Sequence, residues 1–137
     1  MKIGILSNNS VADSPKALDT LLNELVKLAN DDSIDKILIT DTRPFKSAVW
    51  KIDPKIIDKL QQKVVVYFNG RFSRLNPMAK ETNKHNVKVA GGFQSRDLTL
   101  VRAADKMIIL KNGAVGCLSK ALAYCKKHNI NREELDT

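Results

Sequence analysis

Five short apolar runs punctuate this chain: Lys2 to Ser7, Lys36 to Thr40, Val64 to Phe68, Val87 to Ala90 and Met107 to Leu110. Each is too short for a buried helix. Most are apolar at consecutive positions rather than at alternate ones, which suits strands covered on both faces, as in a parallel sheet. Val64-Val65-Val66-Tyr67-Phe68 is the clearest case, because β-branched and aromatic side chains pack well on a pleated surface.

Helix signals fill most of the gaps. Ser14-Pro15 pairs a capping hydroxyl with a residue already at helical φ, and Leu18, Leu21, Leu22, Leu25, Val26 and Leu28 then recur on one face, to an end near Asn30. Asp53-Pro54 repeats the signal ahead of a helix over 54–62. Thr42 to Ile52 reads either as an irregular segment or as a short helix. Pro77 opens a weak helix reaching about His85, and Ser95 is placed to cap a helix carrying Leu98, Leu100, Val101 and Ala104. The last helix spans Gly116 to His128, and the polar run Asn8 to Ser14 reads as a loop. Strands alternating with helices imply right-handed crossovers, hence a single Rossmann-like α/β domain over 1–130. About five parallel strands are expected, with helices on both faces and a loose C-terminal tail over 131–137.

Bulk properties narrow the setting. The opening Met-Lys-Ile-Gly-Ile-Leu-Ser turns polar too soon for a signal peptide or a membrane span, so a cytoplasmic protein with no membrane partner is expected. Cys117 and Cys125 fall in one helix, too far apart to bond, and are expected as free thiols. The formal charge of +8 is uneven: residues 1–35 carry three Lys and six acids, 36–132 twenty Lys/Arg and six acids, and 133–137 three acids. The basic middle would attract polyanions, so a DNA- or RNA-binding face is one reading of it. Asn69-Gly-Arg-Phe-Ser-Arg74, with Lys80 and Lys84, mixes bases with an aromatic and fits the same reading, or else a solvated loop.

In parallel sheets ligands bind beyond the carboxyl ends of the strands, where helix starts present free N–H groups. The loops in that position are Ser7 to Ser14, Asp41 to Arg43, Gly91 to Asp97 and Asn112 to Cys117. The first contains neither G-x-G-x-x-G nor the P-loop pattern, which disfavours ordinary dinucleotide and Walker-type sites. Ser7, Asn8, Asn9 and Ser10 remain candidates for holding phosphate or ribose through side chains, and Asp41 stands where a carboxylate grips ribose hydroxyls. Two Cys and two His lack zinc-like spacing, so no metal is expected, and no cofactor is implied. Cys117 at a helix start would have a lowered pKa, but no His lies near it in sequence. Phe45 and Trp50 are read either as flanking a base or as core or subunit-interface residues.

The segment Gly91-Gly-Phe-Gln-Ser-Arg-Asp97, continuing through Ala104-Asp105 and Met107 to Leu110 to Asn112-Gly-Ala-Val-Gly-Cys117, resembles the SLOG superfamily of Rossmannoid nucleotide binders. More loosely, it is similar to the nucleoside deoxyribosyltransferases. The resemblance covers residues 87–130 and implies a nucleotide or nucleotide-derivative ligand held by Gly91, Gly92, Arg96, Asp97, Asn112, Gly113, Gly116, Cys117 and Lys120. In physical terms Arg96 offers a planar donor fork, and Gly113 and Gly116 allow close backbone approach to an anion. Alternatively, Arg96 pairs with Asp97 or Asp105 and the glycines only turn the chain.

The catalytic members of these families carry Gly-Thr-x-x-Glu where this chain reads Gly116-Cys-Leu-Ser-Lys120. A cation there cannot stabilise an oxocarbenium-like centre. The leading expectation is therefore SLOG-like binding. An N-ribosyl hydrolase or transferase using Asp97, Asp41 or Asp13 instead of the glutamate is the alternative. A homo-oligomer is expected from the same resemblance.

Overall fold

The computed structural model describes residues 1–70 and 85–137 and contains one six-stranded sheet, parallel throughout. Its strands are β1 (Lys2–Ser7), β2 (Lys36–Thr40), β3 (Val64–Phe68), β4 (Asn86–Lys88), β5 (Lys106–Lys111) and β6 (Arg132–Asp136). The helices are α1 (Pro15–Ala29), α2 (Arg43–Val49), α3 (Pro54–Lys63), α4 (Phe93–Ala103) and α5 (Ser119–Lys127). The order across the sheet is β4-β3-β2-β1-β5-β6. The chain thus builds outward from β1 to one edge, then returns to build outward on the other side of β1.

Two cores form because successive strand residues point to opposite faces. Ile3 and Ile5 of β1, Ile37 and Ile39 of β2, Val64 and Val66 of β3, and Ile108 and Leu110 of β5 pack with the leucines of α1. Leu6, Leu38, Val65, Tyr67, Met107 and Ile109 pack instead with Leu100, Val101, Leu118, Ala121 and Leu122 of the α4 and α5 side. Gly4 lies on this second face. A Cβ there would stand 2.5 Å from Met107 Sδ and 2.7 Å from Leu100 Cδ2, so glycine is what lets α4 lie close over β1.

Local chemistry explains the helix starts. Ser14 Oγ accepts from the Ala17 N–H, and Asp53 Oδ1 accepts from the Lys55 N–H, so both cap-plus-proline signals act as read. The ambiguous stretch after Thr42 resolves as the short helix α2, with Phe45 fully buried and Trp50 exposed at its end. Asn9–Asp13 is a 3₁₀ turn rather than open loop. The loop Arg71 to Arg74, Lys80 and Lys84, and most of the helix expected from Pro77, lie outside the described residues.

Two expectations are corrected. Ser95 does not cap α4: the helix starts earlier, with Gly92 at its N-cap and Phe93 as its first residue. Residues 131–137 are not a loose tail. Arg132 to Asp136 pair in register with Met107 to Lys111 as the sixth strand, and Thr137 is tied by its N–H and hydroxyl to the Lys111 carbonyl at 2.9 and 3.0 Å. Lys111 Nζ also meets Glu134 at 3.0 Å, and Leu135 packs on the α1-side core. Charged residues dominate β6 because it is an edge strand, where charge discourages further pairing. Among the described residues no helix is long and apolar enough to cross a membrane.

Candidate ligand-binding site

The strand order reverses at β1, whose carboxyl end lies between the loops that follow β2 and β5. Such a switch point leaves a crevice, because the chains leaving the neighbouring strands part to opposite faces of the sheet. A cavity of about 520 Å³ occupies this position. Four segments line it: Ser7 to Ser10 after β1, Asp41 to Arg43 after β2, Phe93, Arg96 and Asp97 at the start of α4, and Ala114 to Gly116 with Leu118 before α5. Its size falls within the range of small-molecule sites.

The residues of the first loop divide into two kinds. Asn8 is a clasp. Its Nδ2 donates to the carbonyls of Asn112 and Ala114 at 2.7 and 3.0 Å, and its Oδ1 accepts from the Asn112 N–H at 2.9 Å. Ser10 Oγ donates to the same Asn112 carbonyl at 2.6 Å, and Asn112 Nδ2 returns a bond to the Ser10 carbonyl at 3.0 Å. These atoms are occupied in joining the β1 and β5 loops, so Asn8, Ser10 and Asn112 shape the site more than they offer it donors. Ser7 is the opposite case. It is 8% exposed and lines the cavity, yet among the described residues its hydroxyl has no hydrogen-bond partner. A buried polar group left unpaired costs about 1–3 kcal/mol, a cost that a ligand can remove.

Charges on the second and third segments are largely paired. Asp41 lies 3.7 Å from Lys46 Nζ, and Arg43 Nη2 binds Asp13 at 2.6 Å beside the exposed Asn9, whose carbonyl it also meets at 3.4 Å. Arg96 Nε donates to Asp97 Oδ1 at 3.0 Å, and the guanidinium lies 5.0 Å from the centre of the Phe93 ring. Thus Arg96 does pair with Asp97, but through one nitrogen only. Among the described residues its two Nη groups have no acceptor. Asp97 is 2% exposed, and burial pushes its carboxyl pKa up against the opposing pull of Arg96. Among the described residues no N-cap side chain bonds the start of α4, whose first N–H groups lie at this end of the sheet.

The glycines play unequal parts. Gly116 has φ +51° and lines the cavity, whereas Gly113, at φ +69°, is exposed in the turn behind it. Gly91 and Gly92 sit outside the lining, and their carbonyls accept from Asn69 Nδ2 at 3.3 and 3.2 Å, tying the approach to α4 to the end of β3. Lys120 is exposed on α5 and also outside it. Of Cys117 only the backbone, in the Gly116–Leu118 turn, is described.

No family model, no curated protein and no solved structure matches this chain.

Arg96 and the turn after Asn112 share one rim, the arrangement that an anion cradle requires. Thr42, Arg43, Phe93, Ala114 and Val115 also line the cavity, within loops read as ligand-facing but not singled out as site residues, and Leu118 lines it from just beyond them. Phe93 had a legible signal, since the residue after the diglycine at a strand's carboxyl end falls on the first turn of the next helix, at the ligand rim. Among the described residues no cluster of His, Cys, Asp and Glu could hold a metal ion.

Proposed function

We propose that the cavity at the β1/β5 switch point binds a nucleotide or nucleotide derivative, in the manner of the SLOG proteins that residues 87–130 resemble. The observation that carries this reading is the Ser7 hydroxyl, buried and without a partner among the described residues, in the cavity that Arg96 and the first residue of α4 also line. A phosphate or sugar oxygen satisfies all three donor sources together, and guanidinium and helix start both favour negative charge. Lys120 lies outside the cavity and takes no part in this account.

Calorimetric titration against nucleosides, nucleoside monophosphates, nucleoside diphosphates and ADP-ribose tests it. At least one should bind, and Ser7→Ala should weaken binding about 2- to 10-fold, the worth of one hydrogen bond. The same substitution should leave the fold as stable or stabilise it by about 1 kcal/mol, since it removes an unpaired hydroxyl. Silence of folded protein across the panel would remove the proposal.

A second reading draws on Asp97. A buried carboxyl with a raised pKa that lines the same cavity as Asp41 fits hydrolysis of an N-glycosidic bond, with Asp97 giving its proton to the departing base, water attacking the sugar carbon and the water's proton returning to Asp97. Asp13 does not line the cavity. Chromatography for free base after incubation with nucleosides and nucleotides decides this reading, and no release at high protein concentration rejects it.

A further inference from the structure

Phe93 is a large apolar side chain that remains 60% exposed, and it stands on the lining of the cavity. Burying a phenyl ring on folding is worth roughly 1.5–3 kcal/mol, which this position forgoes. Its setting is specific. Phe93 is the first residue of α4, fixed by Gly92 at the N-cap, and the guanidinium of Arg96 one turn later lies 5.0 Å from the ring centre. That guanidinium is itself held by Asp97 at 3.0 Å. The ring therefore lies against a braced cation, and Phe93 as a whole stays largely exposed.

We infer that Phe93 is the stacking platform for a planar ring of the ligand, so that the cavity takes an aromatic base at the α4 rim and turns the sugar or phosphate toward Ser7 and the β1/β5 loops. Two features of the platform support this. A cation against one face anchors the ring in place, so little side-chain freedom remains to be lost when a base arrives. Stacking also needs no hydrogen-bond partner from the protein, and every nucleobase has a π-face to offer. The cavity thus offers an aromatic shelf at the α4 start, with the Arg96 guanidinium against it, and the Ser7 hydroxyl at the end of β1.

This inference rests on the nucleotide reading, and the experiment separates the two. Wild type, Phe93→Ala and Phe93→Leu are titrated by calorimetry with adenosine, AMP and ribose 5-phosphate, the last lacking a base. Wild type should bind AMP more tightly than ribose 5-phosphate. Phe93→Ala should weaken AMP and adenosine by roughly 5- to 150-fold, leave ribose 5-phosphate within twofold, and so erase the preference. Phe93→Leu, apolar but without a π-face, should behave like alanine. As a direct readout, Phe93→Trp in a Trp50→Phe background should show indole fluorescence quenched on saturation with AMP. If wild type binds AMP but Phe93→Ala binds it equally well and the indole signal of the Phe93→Trp variant does not change, the platform is refuted while the nucleotide reading stands. If wild type binds none of the three and nothing in the wider panel, both fall.

Discussion

Replacing Asn8 with alanine should destabilise the protein by about 2–4 kcal/mol, an unusually large loss for one polar side chain in a loop. The figure follows from the clasp. Asn8 Oδ1 accepts from the Asn112 N–H, and the two hydrogens of its Nδ2 are shared among three acceptors, the Asn112 and Ala114 carbonyls and Ser10 Oγ at 2.7 Å, so the side chain makes about three full bonds. Each is worth roughly 0.5–1.5 kcal/mol net, and the Asn112 N–H is left with no acceptor once the side chain is gone. The Asn112 carbonyl retains the Ser10 hydroxyl, which holds the total below the sum. For a domain of this size the loss corresponds to a fall in Tm of about 6–12 °C. Urea unfolding is the assay, and the midpoint should drop with an unchanged slope. Asn8→Asp is the informative companion: it keeps the acceptor for Asn112 N–H but turns a carboxylate toward two carbonyls, so it should lose at least as much. A loss below about 0.5 kcal/mol for Asn8→Ala would refute the view that this residue joins the two loops.

Gly4→Ala should cost about 1–3 kcal/mol by forcing Met107 and Leu100 away from β1, and urea midpoints measure it. An unchanged midpoint would show that α4 does not approach β1 as closely as described. Hydrogen bonds from Lys111 and Arg132 hold the Glu134 carboxyl below its usual pKa. That contribution is present above the ordinary glutamate range and is lost as pH falls through the lowered folded value, so wild type should lose up to about 1 kcal/mol on acidification that Glu134→Gln does not. Parallel stability-against-pH curves for the two proteins would contradict the pairing.

Most of the scaffold was legible because its signals are local. Consecutive apolar residues marked four of the six strands, the run Val87 to Ala90 overlapped β4 at Val87 and Lys88, and Ser14-Pro15 and Asp53-Pro54 marked two helix starts through capping chemistry that needs no tertiary context. β6 was illegible for a physical reason: Arg-Glu-Glu-Leu-Asp has a single apolar residue, and it becomes a strand through the free edge of β5 and charge pairs to Lys111. The α4 start was misread because Ser95 is a good cap in isolation, yet the tie from Asn69 to the Gly91 and Gly92 carbonyls fixes the turn ahead of it. At the candidate site, topology alone pointed to the loops that line the cavity. What it does not reveal is which polar atoms are already spent, and so the candidates Asn8, Ser10 and Asn112 form a clasp while Ser7 and Arg96 keep donors open.

The central claim is that a nucleotide-like ligand occupies the crevice between the β1 and β5 loops and the start of α4. Amide NMR spectra of the isotope-labelled protein titrated with AMP, or with whichever panel member binds most tightly, test it most directly. Saturable shifts should concentrate at Ser7 to Ser10, Phe93 to Asp97 and Ala114 to Leu118. Saturable shifts centred elsewhere, for example at the amino ends of the strands around Lys2, Lys36 and Lys106, would contradict the account.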